Sequence, residues 1–178
     1  MNIFDNVLSE SDAIKIENLL LSQDFPWFLI KKSSGESKKI KGFTDTLQFE
    51  HHFIRDSEIK SNLIHEIMTL LNWEDIINKT NISPFIFRMK SNLLLKTQST
   101  PNTPHIDFNF PHTVLLYYVN DSSGPTIFYD KKFNIIKEVV PKSGSVVVFD
   151  GSIYHSSTPP ITNDYRCVIN FNIKNNLN

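Results

Sequence analysis

Residues 112–150 read HTVLLYYVNDSSGPTIFYDKKFNIIKEVVPKSGSVVVFD, and the fold is decided there. Apolar, aromatic and β-branched runs cover about 112–119, 125–130, 134–140 and 145–150. Each is too short for a helix of ordinary length, and turn chemistry separates them: Asn120-Asp121-Ser122-Ser123-Gly124 after the first, Pro141-Lys142-Ser143-Gly144 before the last. Outward from this block, 85–96 and 165–174 have the same character. Six short strands without intervening helices predict antiparallel sheets packed as a sandwich or jelly roll.

The first half reads differently. Ser9-Glu10-Ser11-Asp12 supplies N-cap candidates for a helix over residues 10–22, with Pro26 as its stop. Trp27-Phe28-Leu29-Ile30 is a candidate strand. Ser57 is the expected cap of a second helix over 58–71, whose Leu63, Ile64, Ile67, Met68 and Leu71 have the 3–4 spacing of a buried stripe. A short helix is expected over 73–78. The whole is α+β: a helical lead-in over about 1–84 and a β core over about 85–174, in one domain of 178 residues.

Bulk properties exclude several classes. Hydrophobic residues at 40% and charged residues at 21% support a folded core. A net charge of −1 gives no broad footprint for nucleic acid. Cys167 is the sole cysteine, which excludes an intrachain disulfide and a cysteine-based zinc site. No apolar run reaches membrane-spanning length, and the opening MNIFDNVLSESD lacks the regions of a signal peptide. A cytoplasmic location is expected, the host cytoplasm for a viral chain. Oligomeric state is not readable.

The chemistry clusters at strand ends. His105-Ile106-Asp107 follows Thr103-Pro104, which favours an extended entry. In an extended segment residues i and i+2 project to the same side, so His105 and Asp107 can share one metal. With His155 they form the two-His-one-carboxylate set that caps one face of Fe(II) and leaves the other open. Arg166 opens the last strand. Arginine occurs only at 55, 88 and 166 in a chain that otherwise prefers lysine, which draws attention to the planar fork of a guanidinium. His51 and His52 are adjacent and would point to opposite faces of a strand, so a joint metal site there is disfavoured. His65 reads as a helix residue, and the lysines of the Lys31–Gly42 stretch as a solvated loop.

The blocks PHIDFNFPH, LLYYVND, GPTIF, VVPKSGSVVVFDG, YHSSTPP and RCVINFNI, in this order between Phe85 and Ile173, resemble the 2-oxoglutarate and Fe(II)-dependent oxygenases of the prolyl-4-hydroxylase-like group. The opening DNVLSESD through FPWF is similar to their lead-in, and RMKSNLLLKT resembles small bacteriophage versions. The resemblance implies a double-stranded β-helix (jelly roll) core, with His105, Asp107 and His155 on iron. It implies Arg166 on the far carboxylate of 2-oxoglutarate, with Tyr118 reaching the same group and Asn92 and Asn170 near the co-substrate. It also implies O2 as co-substrate, with ascorbate a possible accessory. Asp150 and Tyr154 are candidates to orient His155; His112 is expected in the pocket wall or at a strand start. Arg88 is a candidate substrate contact or a structural ion pair.

The implied reaction is hydroxylation of an unactivated C–H bond, on a protein or peptide side chain, proline among them. Alternatives are hydroxylation of a free small molecule such as an amino acid, and a non-catalytic jelly-roll binding module. Substrate-reading loops would be Trp27–Gly42 and Gln98–Asn102.

Overall fold

The computed structural model describes residues 1–31, 40–97 and 100–174. In chain order the elements are β1 (Asn2–Phe4), α1 (Glu10–Leu20), β2 (Phe28–Ile30), β3 (Gln48–Arg55), β4 (Glu58–Ile59), α2 (Leu63–Leu70) and α3 (Trp73–Thr80). Then come β5 (Ile86–Leu95), β6 (His112–Tyr118), β7 (Thr126–Tyr129), β8 (Ile135–Val139), β9 (Ser145–Asp150), β10 (Tyr154–Ser157) and β11 (Tyr165–Lys174). A large sheet runs β1-β9-β6-β11-β5-β3-β2, with β4 paired to β3, and a small sheet runs β10-β7-β8. Every strand pair is antiparallel. The core is the expected jelly roll.

The large sheet is buried on both faces, and alternation assigns each residue to one of them. Met89, Leu93, Leu115, Tyr117, Cys167, Ile169, Phe171 and Ile173 pack against Ile16 and Leu20 of α1, Ile64 and Ile67 of α2, and Ile76 of α3. Val114, Leu116, Tyr118, Val147, Phe149 and Val168 face the small sheet through Phe128 and Val139. On this second face lie rows of register partners. Leu94 pairs Arg166, Asn92 pairs Val168 and Glu50, Lys90 pairs Asn170 and His52, and Arg88 pairs Asn172.

Several sequence expectations needed correction. Ser9 does cap α1, accepting from the Asp12 amide at 3.2 Å. That helix stops at Leu20, five residues before Phe25-Pro26, so Pro26 does not end it. Ser57 caps no helix. Asp56 (φ 56°) and Ser57 (φ 65°) are both left-handed and turn the β3–β4 hairpin. A turn with two positive φ values matches the twist of paired strands, and α2 therefore begins only at Leu63. The lead-in is also less helical than expected, since it supplies β1 to β4 to the large sheet. No helix among the described residues is long and apolar enough to cross a membrane.

Candidate metal centre and cleft

His105 and His155 are brought face to face by backbone pairing. Each amide donates to the other's carbonyl at 3.0 Å, an isolated antiparallel bridge between the loop before β6 and strand β10. Their rings lie 4.9 Å apart, centre to centre. Each ring is set by the same local device. His105 Nδ1 donates to the Thr103 carbonyl at 3.1 Å, and His155 Nδ1 to the Ile153 carbonyl at 3.0 Å. A carbonyl only accepts, so Nδ1 carries the proton and Nε2 keeps its lone pair for a metal. Burial, and then His105, lowers His155 to about 4, so it is neutral near pH 7.

Asp107 completes the set. Ligand atoms of His105, Asp107 and His155 all lie within 4.8 Å of one another. Asp107 Oδ2 accepts from Asn172 Nδ2 at 2.7 Å and from Asn170 Nδ2 at 3.3 Å, and it lies 3.9 Å from His155 Nε2. Arg88 Nη2 pairs with Oδ1 at 2.6 Å. Burial opposes the carboxylate form. The Arg88 charge, followed by His155, His105 and Lys90, nevertheless holds Asp107 well below the usual carboxylate range. Two imidazole lone pairs and one carboxylate on a single face fit a first-row divalent metal with open positions.

The three ligands open on a cleft between the sheets, lined also by Gln48, Lys90, Asn92, Leu94, Leu116, Thr126, Ser156, Ser157, Arg166, Val168 and Asn170. Arg166 is only 2% exposed. Its Nε donates to the Gly124 carbonyl at 2.9 Å and its Nη2 to Thr126 Oγ1 at 2.7 Å. No carboxylate among the described residues pairs with it. Gly124 itself lies against the Thr158–Pro160 backbone, where a Cβ would collide with the Thr158 carbonyl. The Tyr118 hydroxyl donates to the same Thr126 Oγ1 at 2.9 Å, so Tyr118 meets the cleft through Thr126. Asn92 and Asn170 line the cleft directly, and Asn170 also touches Asp107.

The remaining candidates fall elsewhere. His112 opens β6 and its ring packs on Gly151, where a Cβ would clash with it. Asp150 accepts from the Ser152 amide, and Tyr154 packs on Phe133, so neither orients His155; the Ile153 carbonyl does. Asn102 is fully buried, bonding to Thr46 and Ser157, so it braces the loop rather than facing a ligand. Gln98, Ser99 and residues 32–39 of the Lys31–Gly42 stretch lie outside the described residues.

Sequence reading missed Asn172, Lys90, Glu50 and Gln48. Lys90 Nζ donates to Glu50 Oε2 at 2.9 Å, and His52 Nε2 lies 2.9 Å from Glu50 Oε1. Burial raises the Glu50 carboxyl, but His52 and Lys90 overcome this and bring it to about 2. Period two from Arg166 through Asn170 was the available signal for Asn172.

This is the fold of the 2-oxoglutarate and Fe(II)-dependent oxygenases. A 2OG-Fe(II) oxygenase-family oxidoreductase from Burkholderia pseudomallei matches with a TM-score of 0.70 at 11% identity, covering 96% of this chain and 83% of that one. A prolyl hydroxylase from Trichoplax adhaerens, in complex with a hypoxia inducible factor peptide fragment, matches at 0.64 and 15% identity, covering 97% and 82%. The non-heme alpha ketoglutarate dependent epimerase SnoN, from nogalamycin biosynthesis, matches at 0.65 and 14% identity, covering 97% and 76%. In sequence, no family model and no curated protein matches the chain.

Proposed function

We propose that the protein is an Fe(II)- and 2-oxoglutarate-dependent oxygenase that hydroxylates an unactivated C–H bond on a protein or peptide side chain, proline among the candidates. The observation that carries this reading is Arg166. A buried guanidinium without a carboxylate partner among the described residues shares one cleft with a three-ligand metal face. A buried charge is costly unless paired, so an incoming carboxylate is the natural complement. The peptide reading is supported by the fold shared with a prolyl hydroxylase that holds a peptide.

His105 Nε2, His155 Nε2 and Asp107 would hold the iron. Iron with 2-oxoglutarate supplies the oxygen chemistry, in which O2 is consumed, succinate and CO2 leave, and one oxygen atom enters the C–H bond. The protein binds, orients and excludes water. Arg166 receives the far carboxylate with a planar fork, steadied by the Gly124 carbonyl and Thr126. Asn92, Asn170 and, through Thr126, Tyr118 complete the polar surround of the co-substrate. Leu94, Leu116 and Val168 line the cleft with apolar surface that keeps it dry.

The test is succinate release with Fe(II), 2-oxoglutarate and a panel of peptides, free amino acids and nucleic acid. Peptide-dependent succinate and about one iron per chain are expected. Asp107→Ala should lose most bound iron and all turnover. Full iron occupancy and activity in that variant would sink the assignment, and stimulation by free amino acids alone would move the substrate to the small-molecule class.

A further inference from the structure

Asp107 does not stand alone at its end of the cleft. Arg88 Nη2 pairs with Asp107 Oδ1 at 2.6 Å, Arg88 Nε donates to Asn172 Oδ1 at 2.8 Å, and Asn172 Nδ2 donates to Asp107 Oδ2 at 2.7 Å. The three side chains close a ring. Arg88 on β5 and Asn172 on β11 are direct register partners on two neighbouring inner strands of the large sheet, just before a register shift that follows Asn172. Asn172 is fully buried. The Arg88 guanidinium lies 4.6 Å from the centre of the Phe108 ring, which packs in turn against Phe87 and Phe110. Two of its cross-links, the Arg88 ion pair and the Asn172 amide, end on the Asp107 carboxylate, and the third joins Arg88 to Asn172.

We propose that Arg88 and Asn172 are positioning residues that make Asp107 a one-oxygen metal ligand. This rests on the metal reading above. A free carboxylate can swing about its Cβ–Cγ bond and offer a cation both oxygens. Here Oδ1 is committed to a full positive charge on the side of Arg88. Oδ2 is the oxygen near His155 Nε2, 3.9 Å away, and its plane is fixed by Asn172. One oxygen from Asp107 and one nitrogen from each histidine would supply three ligands to a bound metal. A second oxygen would consume a position that the co-substrates need. Partners that orient metal ligands in this way typically contribute about 10- to 100-fold in metal affinity.

The geometry also ranks the substitutions. Arg88→Lys keeps a cation for Oδ1 but loses the planar fork whose separate Nε donates to Asn172. Arg88→Gln loses the charge. Asn172→Leu leaves the Arg88–Asp107 pair and removes the shorter of the two amide bonds to Oδ2, keeping the 3.3 Å bond from Asn170.

The experiment titrates Fe(II) anaerobically, and Co(II) as an optical stand-in, into wild type, Arg88→Lys, Arg88→Gln, Asn172→Leu and Arg166→Ala. Thermal unfolding of each metal-free protein is measured in parallel. Metal binding should weaken about 10- to 100-fold in Arg88→Gln and Asn172→Leu. Arg88→Lys should recover part of the loss, and Arg166→Ala should bind metal as wild type does. The Co(II) absorption bands of the two weakened variants should differ from those of wild type, a change that a purely structural role would not produce. If Arg88→Gln does not fold, Asn172→Leu decides alone. Folded variants with wild-type affinity and spectra would overturn the positioning role while leaving the metal site intact. A wild type that binds neither metal would overturn the metal reading itself, and this inference with it.

Discussion

The two ends of the cleft carry one arginine each, and they are handled in opposite ways. At the Asp107 end, Arg88 has its counter-charge inside the fold, 2.6 Å away. At the other end Arg166, more deeply buried, meets among the described residues a carbonyl, a hydroxyl and the Tyr118 ring at 5.9 Å, but no carboxylate. Lys90, between them, resembles Arg88: Glu50 neutralises it at 2.9 Å. Three cations on this face of the large sheet thus divide into two, partly buried, whose partners are built in and one, fully buried, whose partner is expected to arrive. A paired charge in the interior holds structure, whereas one left without a counter-ion marks a place for a ligand.

The sharpest way to break this contrast is to remove each guanidinium while keeping its bulk. Arg88→Met leaves the buried Asp107 carboxylate without its counter-charge, and should lower unfolding free energy by about 3–5 kcal/mol. Arg166→Met abandons no carboxylate. It gives up two neutral hydrogen-bond acceptors and should change stability by no more than about 1 kcal/mol. Denaturant unfolding of the metal-free proteins measures both. Equal losses would mean that Arg166 has a counter-charge within the chain.

Acid should separate the paired cations from the unpaired one. Glu50 is held at about 2, against an ordinary value of 4.5. A carboxyl lowered by folding contributes stability above its unfolded value, and that contribution is lost as pH falls through the folded one. Stability should therefore fall between about pH 4.5 and pH 2, with a slope of up to about 1.4 kcal/mol per pH unit for this proton. Glu50→Gln should flatten that part of the curve at the cost of lower stability near pH 7. Denaturant midpoints across this range provide the check. An unchanged slope in the variant would show that Glu50 is not held down by Lys90 and His52.

Ligand binding sharpens the contrast from the other side. Arg166→Ala should raise the 2-oxoglutarate concentration for half-maximal turnover at least ~10-fold, equivalent to ~1.4 kcal/mol. Arg166→Lys should be less impaired, since it keeps the charge and loses the fork. An unchanged 2-oxoglutarate dependence in the alanine variant would place the anchor elsewhere.

The same division explains what could be read from the sequence. The strands β5, β6, β7, β9 and β11 were legible because each carries apolar residues that pack on the helices or on the facing sheet, and the mostly exposed β8 was legible from its apolar run between turn signals. The triad was legible because His-x-Asp after Thr-Pro, His155 directly after a strand and Arg166 opening another stand in the order of the family blocks. Strand β3 was missed. Its Gln48 lines the cleft and Glu50 and His52 share that face, bonded to Lys90 and to each other, while Phe49, His51 and Phe53 turn to the other side, so hydrophobic alternation is blurred. Polar residues on an inward face are the usual reason that local pattern fails at a site. Asn172 and Lys90 were missed because their meaning is created by register. Asn172 meets Arg88 across 84 positions, and Lys90 meets Glu50 across 40. The false N-terminal start of α2 has a local cause, two left-handed residues at Asp56 and Ser57 that close a hairpin.

The smallest effect tests how far the unpaired end extends. Tyr118 and Arg166 both donate to Thr126 Oγ1, at 2.9 and 2.7 Å. The Tyr118 ring is buried, and burial raises its hydroxyl above the ordinary tyrosine value, so it is a neutral donor near pH 7. Its contribution to 2-oxoglutarate binding in this arrangement passes through Thr126, which holds the guanidinium in plane. Tyr118→Phe deletes one neutral hydrogen bond, about 1 kcal/mol, and keeps the ring that packs with Val114, Leu116 and Phe128. Half-saturation by 2-oxoglutarate should rise about 2- to 5-fold, less than for Arg166→Ala, with maximal turnover and iron binding close to wild type. Thr126→Val removes the shared acceptor and should reproduce that effect. Combining it with Tyr118→Phe should then add little, because both changes break one chain of contacts. Fully additive losses would instead mean that Tyr118 and Thr126 act on the co-substrate separately, and a Tyr118→Phe effect as large as that of Arg166→Ala would make Tyr118 a direct ligand of the carboxylate.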